Sequence, residues 1–215
     1  MKPLGVALFL AAIVGPSVES AAARPMTRPG DTFYPLAKGN KWVYSTDYTD
    51  DTELVHEVTG SEKVGDVECF IVEHKTVSTA LGTRMMRKEW LAADGDGTMI
   101  HKIQRGRSQM DVAKPFYKIK NSMKKDEEWK GEAKAEENPP QYTIRVEEEA
   151  DVEVPAGKYK AWKVHLKIES GTRHAAEGTE WYVKNIGVVK SEITIRAGGE
   201  DFTLVSELKK FESGK

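Results

Sequence analysis

Five histidines, His56, His74, His101, His165 and His174, are the side chains of this chain best suited to proton transfer or metal binding. No two of them stand two or four residues apart, so no strand or helix face offers a ready pair of ligands. A site would have to be assembled across strands from His56, His74 and His101, and no metal or other cofactor is expected. Asp94-Gly-Asp-Gly-Thr98 has the opening oxygens of a calcium loop but lacks the later ones and the bidentate Glu, and a hairpin turn accounts for it. There is no Gly-x-Ser-x-Gly elbow, phosphate-binding loop, His-Glu-x-x-His or dinucleotide fingerprint. Glu89 and Glu180 each precede a tryptophan and could meet in a cleft as an acid–base pair. The expectation is nonetheless that both face outward from strands and that no residue is catalytic.

The aromatic set says more. Trp42, Trp90, Trp129, Trp162 and Trp181 all fall in strands or strand entries, where core packing is the ordinary role. In a strongly curved sheet, Trp42, Trp90, Trp162 and Trp181 could instead line an apolar cavity for a lipid or another hydrophobic ligand.

The elements that must position these residues read as strands. Glu177 to Ile193 is a hairpin: an aromatic strand, a turn at Asn185-Ile-Gly187, and a β-branched return. Other strand segments are 53–59, 67–79, 83–92, 98–104, 142–149, 161–169 and 201–208, punctuated by Gly, Asp and Pro. Trp162, Val164, Leu166 and Ile168 alternate with Lys163, His165 and Lys167, giving one buried and one wet face. Residues 69–72 are apolar on both faces and belong nearer the centre, with Cys69 a small buried hydrophobe. Crossover helices are not evident. The fold class is therefore mainly β: an antiparallel, strongly curved sheet, half-barrel or barrel.

An internal order repeats. Trp42 matches Trp129, Gly65 matches Gly157, Phe70 matches Trp162, and Glu89-Trp90 matches Glu180-Trp181, at offsets of about ninety residues. The expectation is two tandem meanders, 33–113 and 142–212, forming one structural domain. They are joined by a charged segment, 114–141, whose part from Glu127 to Glu137 reads as an exposed loop without an apolar stripe. Charge is uneven although the net is only −2. Arg84 to Lys125 holds 11 basic and 4 acidic residues, and Asp126 to Glu153 holds 3 basic and 11 acidic. The basic stretch suits solvated strand faces or an anionic envelope partner such as lipid headgroups or acidic polysaccharide. Nucleic acid is not expected.

Lys2, the apolar run Leu4–Val14 and the small residues from Ser17 to Ala23 have the form of an export signal cleaved near Ala23, followed by a flexible leader, 24–32. The run is too short to span a membrane. A single cysteine permits no internal disulfide, so the core must be self-sufficient. The chain is expected in the periplasm or outside the cell.

The motifs Lys38–Tyr44, Val154-Pro-Ala-Gly-Lys-Tyr159 and Glu180-Trp-Tyr-Val-Lys-Asn-Ile-Gly-Val-Val-Lys190 resemble those of uncharacterised exported bacterial proteins. The resemblance implies an antiparallel β fold and carries no catalytic residue across. The expected function is a non-enzymatic binding or structural module of the cell envelope, with an envelope protein, lipid or polysaccharide as partner. A carrier of an apolar ligand comes second and would need a contiguous apolar cavity of several hundred Å3. A hydrolase using cleft carboxylates comes third.

Overall fold

The computed structural model describes residues 32–47, 51–106, 108–134, 138–171 and 174–214. The signal segment and most of the leader lie outside them. Twelve antiparallel strands form one sheet: β1 Lys41–Thr46, β2 Thr52–Val64, β3 Val67–Ser78, β4 Gly82–Ala93, β5 Gly97–Arg105, β6 Ser108–Lys120, β7 Glu128–Glu132, β8 Gln141–Val154, β9 Gly157–Ser170, β10 His174–Val183, β11 Gly187–Ala197 and β12 Glu200–Glu212. Each half is a meander, and the two halves meet where the first strand pairs with the last. The order is β6-β5-β4-β3-β2-β1-β12-β11-β10-β9-β8-β7.

The sheet curls until its two edges nearly touch. Val112 of β6 bridges Ala133 just beyond β7, and the Lys134 amide donates to the Asp111 carbonyl at 2.6 Å. Lower down, side chains replace the ladder. The Trp129 indole donates to the Tyr117 carbonyl at 2.6 Å, and Lys120 pairs with Glu127 at 2.7 Å. The result is a barrel-shaped sheet with one seam. Gly131 sits beside that seam because a Cβ there would lie 2.1 Å from the Phe116 ring.

One end is filled. The segment Phe33–Asn40 tucks beneath β1 and β2, with Phe33, Tyr34 and Asn40 buried. The Gly39 amide donates to the Val58 carbonyl at 2.8 Å. The Asn40 side chain ties Pro35 to Gly214. Tyr34 stacks on Trp42, which stacks in turn on Phe211. The β8–β9 turn also folds in, its Ala156 amide donating to the Leu208 carbonyl at 2.8 Å. The core runs continuously through both halves. The outer face carries ion pairs such as Lys75–Glu73, Lys88–Glu73, Lys163–Glu148 and Lys190–Glu207.

Most strands fall where the sequence places them, and they are generally longer. The start of the connecting segment, Lys114–Lys120, is extended and forms the end of β6, whereas Glu128–Glu132, read as exposed loop, is strand β7. Its alternation of one half-buried tryptophan with charged residues suits an edge strand that has no second apolar row. The residues matched between the halves occupy strands or turns of equal rank: Trp42 on β1 and Trp129 on β7, Phe70 on β3 and Trp162 on β9, Trp90 on β4 and Trp181 on β10. Equal rank is what the strands establish; duplication of an ancestral unit is a proposal.

Candidate functional site

Inside the sheet, polar side chains from both halves converge. Glu89 on β4 is 1% exposed. Its carboxylate accepts from His74 Nε2 at 3.2 Å, from Arg87 at 3.2 Å and from Lys118 at 3.3 Å. Strand geometry assembles this set. Arg87 and Glu89 are two residues apart on β4 and share a face, and His74 stands opposite Arg87 on β3. Lys118 arrives from β6. His56 of β2 pairs with His74, their ring centroids 4.1 Å apart. From the other half, Glu180 accepts from the Tyr182 hydroxyl at 2.6 Å, and the Val188 carbonyl accepts from the Tyr44 hydroxyl of β1 at 2.9 Å. A cavity of about 30 Å3, roughly one water molecule in size, lies among Tyr34, His56, His74, Arg87, Lys118 and Glu180. Tyr34 borders it, and its buried hydroxyl has no hydrogen-bond partner among the described residues.

The electrostatics follow from burial and neighbours. Desolvation alone would raise the Glu89 pKa, but Arg87, Lys118 and His74 overcome it and hold the carboxyl well below its usual range. Burial, assisted by Arg87, lowers His74 to about 4 against the opposing pull of Glu89. His56 is also lowered, by burial and then by His74, Arg87 and Lys118. Both histidines are therefore neutral at pH 7. A carboxylate can only accept, so Nε2 of His74 carries its proton. Burial pushes Tyr34, Tyr44 and Tyr182 well above the ordinary tyrosine value.

Chemically, this is a closed set. Glu89 is saturated with donors and too weak a base to take a proton near neutrality. His74 faces Glu89 from a nearly fully buried position. Such a network joins strands into one register, the best-attested use of buried ionic groups.

The expectation that Glu89 and Glu180 face outward is corrected. Both face the interior, and it is Trp90 and Trp181 that point away. Trp90 stands between Ile71 and Lys102 on the outer side, with the Lys102 ammonium 4.2 Å from its ring centre. Trp181 borders an outer groove of about 350 Å3 with Lys163, His165, Glu177, Thr179 and Glu192. Trp42 lies in the core, its indole donating to the Ile186 carbonyl at 2.5 Å. Trp162 shares the inner face of Val164 and Ile168 by alternation and packs half-buried against the core. The four tryptophans thus divide between two faces and do not border one cavity. His56 and His74 do come together, whereas His101 stands on the outer face. No group of three or more metal-type ligands forms among the described residues. Asp94 closes its hairpin by accepting from the Asp96 and Gly97 amides. Cys69 is buried, its thiol pushed up to about 11 by desolvation first. The cluster of Tyr34, His74, Arg87, Glu89 and Lys118 went unread in the sequence. The one local sign was Arg87 and Glu89 on a shared strand face beside the apolar pair Trp90-Leu91.

Residues 117–198 match the model of the DUF3108-like family. The match covers less than half of the chain. It takes in the Val154–Tyr159 turn and the Glu180–Lys190 hairpin, so over this stretch it agrees with the likeness to an uncharacterised family, and it leaves out Lys38–Tyr44. Among solved structures, a protein of Parabacteroides distasonis ATCC 8503 bearing the name of a lipoprotein is 13% identical, with a TM-score of 0.47, over 85% of this chain and 99% of that one. One of Bacteroides fragilis NCTC 9343, called an exported protein with a YmcC-like fold, is 16% identical, with a TM-score of 0.49, over 85% of this chain and all of that one. The search of curated proteins gives no match.

Proposed function

We propose that this chain is an exported, non-enzymatic binding module of the cell envelope that engages its partner through the end of the barrel-shaped sheet opposite the filled one. Export rests on the charged start, apolar run and small residues of positions 1–23. The observation that carries the binding reading is where large apolar side chains are left in water. Among the described residues six large apolar side chains are exposed, of which Leu81, Met85, Met86, Ile195 and Phe202 belong to the β3–β4 and β11–β12 hairpins, whose tips lie at one end, and Val67 lies at the other. Grouped exposed apolar residues mark interaction surfaces. The interior ion cluster has its partners within the protein, and its cavity holds about one water molecule. That favours a module over a carrier, which needs several hundred Å3, and over a hydrolase, whose carboxylate must be reachable.

Photo-crosslinking in the native envelope tests this reading. A crosslinking residue placed at Leu81 or Phe202 should give discrete adducts, and one at Val67 should not. Equal labelling from both ends, or none from either, overturns it.

A further inference from the structure

We infer that the partner of this end is an anionic lipid surface, with the β3–β4 hairpin as the finger that enters it; this rests on the binding reading above. The hairpin is built to project. Ser78 fixes the turn, its hydroxyl oxygen accepting from the Ala80 and Leu81 amides while its hydrogen goes to Asp51 at 2.8 Å. Gly82 supplies the positive φ of 73° that closes the reversal. Leu81 stands at the tip, 90% exposed, and Met85 and Met86 follow on the descending strand. Met86 is the extra residue of a bulge, since His74 pairs with Arg87 while Lys75 pairs with Met85.

Charge selects lipid over protein. From Val77 to Lys88 the chain has Arg84, Arg87 and Lys88; Arg87 and Lys88 are paired with Glu89 and Glu73, and the carboxylate against the turn, Asp51, accepts from Ser78 and Thr79. Arg84 is exposed, standing opposite Thr76 one turn of the pleat above the buried cluster. A protruding apolar tip backed by a cation with no ion pair among the described residues is complementary to acyl chains beneath negative headgroups. On the same end, Ile195 and Phe202 pair across β11 and β12 on the face that Ser191 and Ser206 share, so they form an apolar lip on the inner side of the mouth. Arg196 beside them is spent on Asp201 in a two-armed pair. The second hairpin therefore contributes apolar contact and the first contributes both apolar contact and charge. The sequence left the basic stretch open to solvated strand faces or an anionic envelope partner, and this hairpin is the part of it where a cation, Arg84, stands beside exposed apolar residues.

The test is vesicle sedimentation of the chain from Arg24 onward, which keeps every described strand and removes the apolar signal run. Vesicles of phosphatidylcholine are compared with vesicles that also hold phosphatidylglycerol. The expected result is binding to the anionic vesicles, weakened by salt. Leu81→Asp should lower partitioning by at least about tenfold. Arg84→Gln should lower it by about fivefold, on anionic vesicles alone. Val67→Asp should change nothing, and all three variants should melt with the parent because the positions are exposed. Failure of the parent to sediment, equal binding to both vesicle types, or Leu81→Asp binding like the parent overturns the inference. If protein adducts at Leu81 persist in that event, the binding-module reading stands and the lipid assignment alone falls. Loss of both overturns both.

Discussion

Replacing Glu89 by Gln keeps the shape of the side chain and removes the one charge that Arg87, Lys118 and His74 share. The amide oxygen can still accept, but its NH2 group now points at a cation, and two positive charges lose their counter-charge in the interior. Removing one partner of a buried ion pair costs about 3–5 kcal/mol. Lys118 and Arg87 retain some access to water, with side-chain exposures of 12% and 28%, so the lower end applies, about 3 kcal/mol. For a chain of this size that is a fall in Tm of about 6–12 °C. Urea unfolding followed by tryptophan fluorescence, with the m-value checked for constancy, measures it. The pH dependence adds a second reading. The Glu89 pKa is depressed in the folded state, so its stabilisation is present above the ordinary carboxylate value of 4.5 and is lost as pH falls through the folded value. The gap between parent and Glu89→Gln should therefore narrow in acid. Replacing Arg87, Glu89 and Lys118 together by Met should restore stability to within about 1 kcal/mol of the parent, since a paired buried network and a packed apolar one are often close in energy. A Glu89→Gln protein within about 1 kcal/mol of the parent, or a gap that ignores pH, would refute the account of the cluster as a mutually dependent strut.

Three other outcomes are expected. His74 takes a proton near 6.5 when unfolded but only near 4 when folded, so stability should fall as pH drops across that window, by up to about 3 kcal/mol; urea melts of the parent and His74→Gln, the latter with a flatter slope, measure it. Gly131→Ala drives a methyl group into the Phe116 ring and should cost about 1–3 kcal/mol; Phe116→Leu in the same chain should recover part of this in thermal melts, and no recovery would mean that the strain lies elsewhere. Mass spectrometry of protein taken from its own envelope should show a chain beginning at Arg24 or within two residues of it, and an intact Met1 would remove the basis for export.

What could be read in the sequence was what is local. Period-two alternation from Trp162 to Ile168 named β9 and its buried face. Asn185 and Gly187, both at positive φ, named the turn that reverses β10 into β11, because few residues other than Asn and Gly adopt that backbone cheaply. Strand β7 was hidden because an edge strand packed on one side needs one apolar residue, Trp129, where a search for a stripe wants several. The direction of Glu89 was hidden for a different reason. In Arg87-Lys-Glu-Trp-Leu91 either set of alternate residues can face inward, and hydrophobicity alone favours the tryptophan. The choice is made by His74 from β3 and Lys118 from β6, fifteen residues before Glu89 and twenty-nine after it. The one local sign, Arg87 and Glu89 on a shared face, does not hold that information, and so the cluster stayed hidden while most of the strands around it did not.

The pairing of β1 with β12 has a consequence for how the protein comes to exist. Lys41 lies against Glu212 and Thr46 against Ser206, so the middle of the sheet is a join between its earliest and latest parts. A chain that emerges N-terminus first, from a ribosome or through a membrane pore, can form the meander β2 to β6 as it appears. It cannot close the sheet until the final strand is free, and the segment that plugs the lower end waits on Gly214 to complete its ties. Joins of such long sequence separation form late and slowly. The sheet therefore stays unclosed until its last strand is out, and a truncation that removes β12 would leave both halves with bare inner edges instead of a shortened barrel.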